Sequence, residues 1–424
     1  MPMSSTSLHA KPIEVPEPDL TPKEIIARAA TLREHLRDDQ EATEQRTYYS
    51  ARTHELFEQA GLYRILQPRR FGGYEFDIET FYRVVMELTR GCPSTGWCFC
   101  LGAAHVLQVA ALFPEEGQQE IFAANDGHFV AASRDLPAGT VTPSGDGYVV
   151  NGTWNYCSGA PYSTHFIARA LLADADGHTS GDSPNVLVAI ARADWTMLDD
   201  WHGLLGLRGS GSHSIQVNDA IVPAYFVVDS DPFSFDTSNA ALRSPVHPNP
   251  MYNSRHLNFF HGEISAIMTG MADAATDEFE RIIRTSKTSS PLPPGLRMDA
   301  PDHQRTLGLG LAKASAARQI VLGTARQHLE HCRQAAEDGI PYEAEQDLLL
   351  ESTHGQAGEL AFAAIENLAR MSGSSNAVRD GRRMQRYLRD ALVYRSHQQG
   401  ASIDMMAAQL AVARLHSALL HPAR

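Results

Sequence analysis

The chain has 424 residues and a net charge of −14, with 43% apolar and 20% charged residues. Such a length buries a large core and fills two or three domains. The acidic balance, with a pI near 5.7, excludes general affinity for nucleic acid or an anionic membrane, since both require a basic surface.

Residues 1–20 read as a flexible tail rich in Ser and Pro. It lacks the basic-then-apolar order of a signal peptide. Residues 21–126 carry a helical pattern. Thr21-Pro22-Lys23-Glu24 combines an N-cap Thr, Pro at the first helical position and an acidic capping-box residue. Gly61, Gly72-Gly73 and Gly91-Cys92-Pro93-Ser94 punctuate the helices that follow. Ser94 predicts the cap of one long apolar helix running to Phe113. The texture changes over residues 127–242. Tyr148–Val150, Phe166–Leu172, Val186–Ile190 and Ile215–Val217 are short and rich in β-branched or aromatic residues, which predicts an antiparallel β-domain. Asp146-Gly147 and Asn151-Gly152 are hairpin-type turn signals. Over residues 243–424 the helical period returns. Four long helices are predicted at Leu257–Ser286, Gln304–Asp338, Glu343–Met371 and Met384–Leu420, with a loop through Ser289–Gly295, and together they suggest a bundle. The fold class is therefore α+β and mostly α: an N-terminal helical domain, a central antiparallel β-domain and a C-terminal four-helix bundle. No apolar run is expected to reach the roughly 20 residues that span a bilayer. Cys92, Cys98, Cys100, Cys157 and Cys332 are an odd set in apolar segments, read as reduced thiols of a cytoplasmic protein.

Several segments could carry chemistry. Trp97 and His105, eight residues apart, project to one broad face of the predicted helix. Core packing explains them equally well. The segment Asn151–Ala160 holds Trp154, Tyr156, Cys157, Ser158 and Gly159, and alone it reads as a hairpin with a core Trp and a turn Ser as readily as a ligand wall. Trp201–Ser212 is glycine-rich around Arg208, Ser210 and Ser212, and its glycines permit tight turns and close backbone approach. Neither a dinucleotide Gly-x-Gly-x-x-Gly nor a Gly-x4-Gly-Lys-Ser/Thr phosphate loop is present. Ser374 and Ser375, small hydroxyl residues ahead of a helix, suit a phosphate. Arg305, opening a bundle helix, is a second phosphate candidate, with a solvated surface arginine as the plainer reading. Glu351-x-x-His354 is the unit of di-iron sites, which need two such units and two further glutamates. One unit is found, His328-x-x-His331 has no evident partner, and no metal is expected.

The most informative stretch is Arg389-Asp390-Ala391-Leu392-Val393-Tyr394-Arg395-Ser396-His397-Gln398. It resembles the end of the helical domain of acyl-CoA dehydrogenases, where an Arg-Asp pair is followed, eight residues after the Asp, by the catalytic Glu. That position is Gln398 here, and an amide does not take a proton from carbon. His397 precedes it. The Trp154–Gly159 and Arg208–Ser212 segments and the domain order, from Thr21 onward, resemble the same superfamily. The chain is thus identified as a member of the acyl-CoA dehydrogenase-fold flavin-dependent monooxygenases, the oxygenase components of two-component aromatic hydroxylases. The resemblance implies reduced FMN or FAD arriving by diffusion from a separate NAD(P)H:flavin reductase, and a homotetramer. It implies O2 adding at flavin C4a to give a hydroperoxide that hydroxylates a phenol- or indole-type substrate. It also implies Ser158 near flavin N5 and Trp154 or Tyr156 against the ring. Cys157, Gly159, Arg208, Ser210, Ser212, Arg305, Ser374 and Ser375 would complete the cofactor site. His397 would hold or deprotonate the substrate, with Trp97 and His105 beside it. The alternative on this scaffold is a flavin dehydrogenase or oxidase whose base has moved to Glu263 or Asp404.

Overall fold

The computed structural model describes residues 13–229, 246–253, 255–288 and 294–420. The predicted tail up to residue 12, the boundary drawn at 242 and residues 289–293 of the bundle loop lie outside these.

The first part is helical: α1 (Pro22–Thr31), α2 (Arg33–Asp38), α3 (Gln40–Arg46), α4 (Ala51–Gln59), α5 (Ile78–Gly91), α6 (Pro93–Ala104), α7 (Val106–Leu112) and α8 (Glu115–Ala123). The predicted capping box is present. Thr21 Oγ1 accepts from the Glu24 amide at 3.3 Å, and the Glu24 carboxylate accepts from the Thr21 amide at 2.9 Å. The single helix predicted from Ser94 to Phe113 is instead two, α6 and α7, parted at His105, and Cys92 is the cap. The Nδ1–H of His105 donates to the Ala131 carbonyl at 2.8 Å, which ties the break to the sheet. Contrary to expectation, Pro93–Leu112 is long and apolar enough to cross a bilayer by length and composition. It is almost wholly buried, and α6 packs on α5 and α9 as a core helix.

The sheet comprises β1 (Ala131–Arg134), β2 (Gly139–Ser144), β3 (Gly147–Trp154), β4 (His165–Leu172), β5 (Asn185–Ala191), β6 (Thr196–Met197), β7 (Ile215–Pro223) and β8 (Val227–Asp229). Its order is β6-β7-β3-β2-β4-β5-β8, with β1 also on β4. It is not purely antiparallel. β1 runs parallel to β4, pairing Ala131 with His165, and β2 runs parallel to β4, pairing Thr140 with Leu171. Asp146-Gly147 does sit at the β2–β3 turn, where Ser144 pairs with Gly147. Asn151-Gly152 is no turn but lies within β3, where the register against β7 shifts. A Cβ at Gly152 would lie 2.7 Å from both the Gly139 Cα and the Trp154 indole, so the glycine makes room for that ring.

The last part holds α9 (Leu257–Thr285), α10 (Pro301–Arg333), α11 (Ala344–Met371), α12 (Ser374–Ala377), α13 (Arg383–Ser396), α14 (Gln398–Ala401) and α15 (Ile403–Leu420). The first three long predicted helices stand as α9, α10 and α11. The fourth is divided: His397 leaves α13 in an extended conformation (φ −67°, ψ 149°). One hydrophobic cluster runs through all three parts, joining Phe81, Trp154, Ile267 and Tyr394.

Candidate active site

A cavity of about 550 Å³ lies between the helices and the sheet. This is within the roughly 300–1,000 Å³ common for ligand and cofactor sites. Trp97 and Leu101 of α6 line it with His105 at the helix break. Ser133 and Arg134 come from the end of β1, and Tyr156 and Ser158 from the segment after β3. The bundle supplies Phe260, His261, Glu263 and Ile264 from α9, Glu351 from α11 and His397 from the end of α13. All four residues expected to meet the substrate or oxygen therefore share this cavity: Trp97, His105, Ser158 and His397.

The sequence folds this way through a relay of backbone and hydroxyl contacts. Asp390 of α13 is fully buried, and its Oδ1 accepts from the Leu207 amide at 2.7 Å. A Cβ at Gly206 would lie 2.4 Å from the Arg389 carbonyl oxygen, so the glycine lets the loop rest on α13. Leu207 (φ 50°) and Gly211 (φ 60°) turn the loop back. Ser210 Oγ and Ser212 Oγ then lie 2.7 Å apart, and Ser212 Oγ lies 2.7 Å from Ser158 Oγ. The Trp97 indole N–H donates to Ser158 Oγ at 3.1 Å. The same indole meets the His397 ring edge-on, centroids 5.2 Å apart. Arg389 and Arg386 both donate to Glu44 of α3, the latter at 2.9 Å, which fixes α13 against the N-terminal helices.

Burial sets the protonation states. It lowers His397 to about 4, helped by Arg134, so the imidazole is neutral near pH 7. His105 is also shifted down by burial. Its Nδ1–H is committed to the Ala131 carbonyl, which leaves Nε2 as an acceptor. Glu263 is held well above the usual carboxylate range by burial and by Asp135. Glu351 is pushed up to about 8 by burial and Asp347, and its Oε1 lies 3.0 Å from His261 Nε2. Burial lowers His261 to about 3, so the pair is neutral and the Glu351 O–H donates to His261.

Other expected residues fall elsewhere. Trp154 is sealed in the sheet core, its N–H donating to the Arg169 carbonyl at 2.8 Å, so it is no wall to the cavity. The ring against the cavity mouth is Tyr156, 56% exposed and with φ 61°. Cys157 is buried, and its Sγ contacts the Trp154 carbonyl at 3.2 Å. Gly159 (φ 87°) brings the loop onto α6, where its Cβ would meet Gly102 at 2.9 Å. Arg208 donates to the Leu204 carbonyl at 2.8 Å and does not line the cavity. Arg305, Ser374 and Ser375 are exposed outside the cavity, as is Asp404. The side chain of Gln398 lies outside the described ones. Sequence reasoning missed His261 as a site residue, took Glu263 only as a displaced base and took Glu351 only as a metal unit. The available signal was a pair of titratable residues, His261 and Glu263, inside the apolar run Leu257–Met271.

Residues 263–402 match the family model described as the acyl-CoA dehydrogenase C-terminal domain. The chain is 27% identical over 382 residues to a pigment production hydroxylase of a Rhodococcus species, covering 89% of this chain and 93% of that protein. It is 26% identical over 376 residues to the flavin-dependent monooxygenase oxygenase subunit HsaA of Rhodococcus jostii, covering 88% and 93%. Over most of its length the chain is thus similar to acyl-CoA dehydrogenase-fold flavin-dependent monooxygenases. The fold of this chain superposes on that of XiaF from a Streptomyces species, solved with FADH2 and glycerol, with a TM-score of 0.81 at 22% identity, covering 92% of this chain and 96% of that one.

Proposed function

We propose that this chain is the oxygenase component of a two-component system that hydroxylates a phenol- or indole-type aromatic with reduced FMN or FAD and O2. Reduced flavin, when bound, supplies the activated oxygen atom that is transferred. The cavity fits that group: Trp97, Leu101, Phe260 and Ile264 give apolar walls, and Ser158 heads a chain of hydroxyls. The observation that carries the reading is Trp97, which donates to Ser158 and packs edge-on against His397. One indole thus sets the oxygen-side hydroxyl and the substrate-side base in fixed relation.

His397, neutral near pH 7, accepts a hydrogen bond from the phenol O–H or indole N–H, which polarises that bond and makes the aromatic ring more electron-rich where oxygen is delivered. His105 accepts a second hydrogen bond through Nε2 and orients the substrate. His261, paired with Glu351, borders the same space and completes a rim of neutral imidazoles. Ser158, through Ser212 and Ser210, offers a hydrogen bond that turns without moving the backbone. Buried walls exclude water, which suppresses loss of oxygen as hydrogen peroxide. The dehydrogenase alternative needs a carboxylate base, and the two buried cavity glutamates, Glu263 and Glu351, are held protonated.

The same reading makes the chain a cytoplasmic homotetramer fed by a separate NAD(P)H:flavin reductase. Arg305, Ser374 and Ser375, exposed away from the cavity, then serve flavin phosphates at a subunit boundary. The test is reconstitution. NADH with this chain alone gives no turnover, and adding a flavin reductase with FMN or FAD starts hydroxylation. Oxidation of NADH by the purified chain unaided contradicts the proposal.

A further inference from the structure

A cluster outside the cavity lining takes no part in this chemistry. We propose that His54, Glu58 and His128 form a divalent transition-metal site of the zinc type. His54 and Glu58 are one turn apart on α4, and His128 stands just before β1. The Glu58 carboxylate oxygen Oε1 lies 3.7 Å from His54 Nε2 and 3.3 Å from His128 Nε2. The donor atoms all fall within 4.8 Å of one another. A tetrahedral ion with bonds of roughly 2.0–2.2 Å spaces its ligands about 3.3–3.5 Å apart, so small side-chain shifts close the site.

The surroundings resemble a ligand support rather than a chance ion pair. His54 Nδ1 is bound by the Tyr63 hydroxyl at 2.8 Å, and that hydroxyl lies 2.7 Å from the Tyr49 hydroxyl. This leaves Nε2 aimed at Glu58, the arrangement in which an outer partner fixes a metal-binding imidazole. Tyr162 stacks on the His54 ring at 4.1 Å between centroids and 12° between planes. Burial lowers both histidines to about 4, so both are neutral ligands near pH 7. Arg64 is the opposing charge nearby, and it is engaged by the carbonyls of Gly72 at 2.8 Å and Asp126 at 3.1 Å. Glu58 keeps 40% of its side chain exposed, which leaves a coordination position open to water. A bound ion would clamp α4 to the segment entering β1, whose other end lines the cavity with Ser133 and Arg134.

The test uses chelator-stripped full-length enzyme titrated calorimetrically with Zn²⁺ and optically with Co²⁺. One tight equivalent is expected, with the visible absorption of tetrahedral Co²⁺. Glu58→Gln, at a partly exposed position that spares the fold, and His128→Ala are each expected to weaken it by at least about 10–100-fold. Tyr63→Phe is expected to weaken it by about 10–100-fold, the usual effect of an outer partner. Asp174→Ala with His178→Ala, in the exposed Asp174–Asp176–His178 cluster, is expected to leave it unchanged. An unaltered isotherm in Glu58→Gln and His128→Ala, or no tight equivalent in the parent enzyme, overturns the proposal.

Discussion

His397 and Ser158 bear different parts of the reaction although one indole touches both. Losing a general base usually costs about 10²–10⁴ in rate. His397→Ala is therefore expected to lower hydroxylation by that range while reduced flavin binds as before, followed by flavin fluorescence quenching under anaerobic conditions. Unchanged product formation would move the base to His105 or His261. Ser158→Ala removes the head of the hydroxyl chain and leaves the base in place. It is expected to raise hydrogen peroxide formed per NADH consumed, with substrate affinity little altered. An unchanged ratio of peroxide to product reduces Ser158 to a turn residue. The sequence alone exposed these two positions because each breaks a pattern: an imidazole next to an amide where a carboxylate is expected, and a serine following a strand-end aromatic segment. Trp154 misled for a physical reason, since an indole in a strand serves a sheet core as well as it serves a ligand, and only the pairing of Gly139 with Gly152 decides for the core.

At the level of elements, helix existence was legible from periodicity and helix interruption was not. The pattern over 94–113 remains apolar through His105, and that over 384–420 carries no proline to stop a helix at His397, so local sequence favours continuation. Tertiary contacts end the helices there: the Ala131 carbonyl captures His105, and His397 turns out of α13 toward Trp97. The parallel pairing of β1 with β4 was equally hidden, because strand patterning carries no direction. The glycine-rich loop was legible as a turn, and its partner, the Arg389-Asp390 pair of α13, only as a motif. That partnership yields a sharp expectation. Gly206→Ala places a methyl 2.4 Å from the Arg389 carbonyl oxygen. Overpacking of this kind costs about 1–3 kcal/mol. The denaturation midpoint should fall accordingly, and hydroxylation should fall with it as Ser210 and Ser212 shift. A midpoint equal to that of the parent would mean the loop does not bear on α13.

Across the whole molecule, one core joins the helical domain, sheet and bundle, and its buried carboxyl groups couple stability to pH. Glu351 is raised from 4.5 to about 8 in the folded state. The folded protein therefore keeps a proton that the unfolded chain loses, and this contribution is complete below about pH 4.5 and declines as pH rises toward 8. The slope is about 1.4 kcal/mol per pH unit within that window. Asp390, raised from 3.8 to about 7, adds a similar decline. Glu351→Gln is expected to flatten the fall in unfolding free energy between about pH 5 and about pH 8, and parallel curves for variant and parent would show that Glu351 ionises normally. The central claim is oxygen transfer from O2 to an aromatic substrate by this chain with flavin reduced elsewhere. Its most direct test mixes the anaerobically reduced flavin–enzyme complex, without reductase, with isotopically labelled dioxygen and a panel of phenols and indoles, followed by mass spectrometry of the products. One labelled oxygen atom per hydroxylated product is predicted, and products that carry only solvent oxygen, or a dehydrogenated substrate with no oxygen gained, would contradict the account.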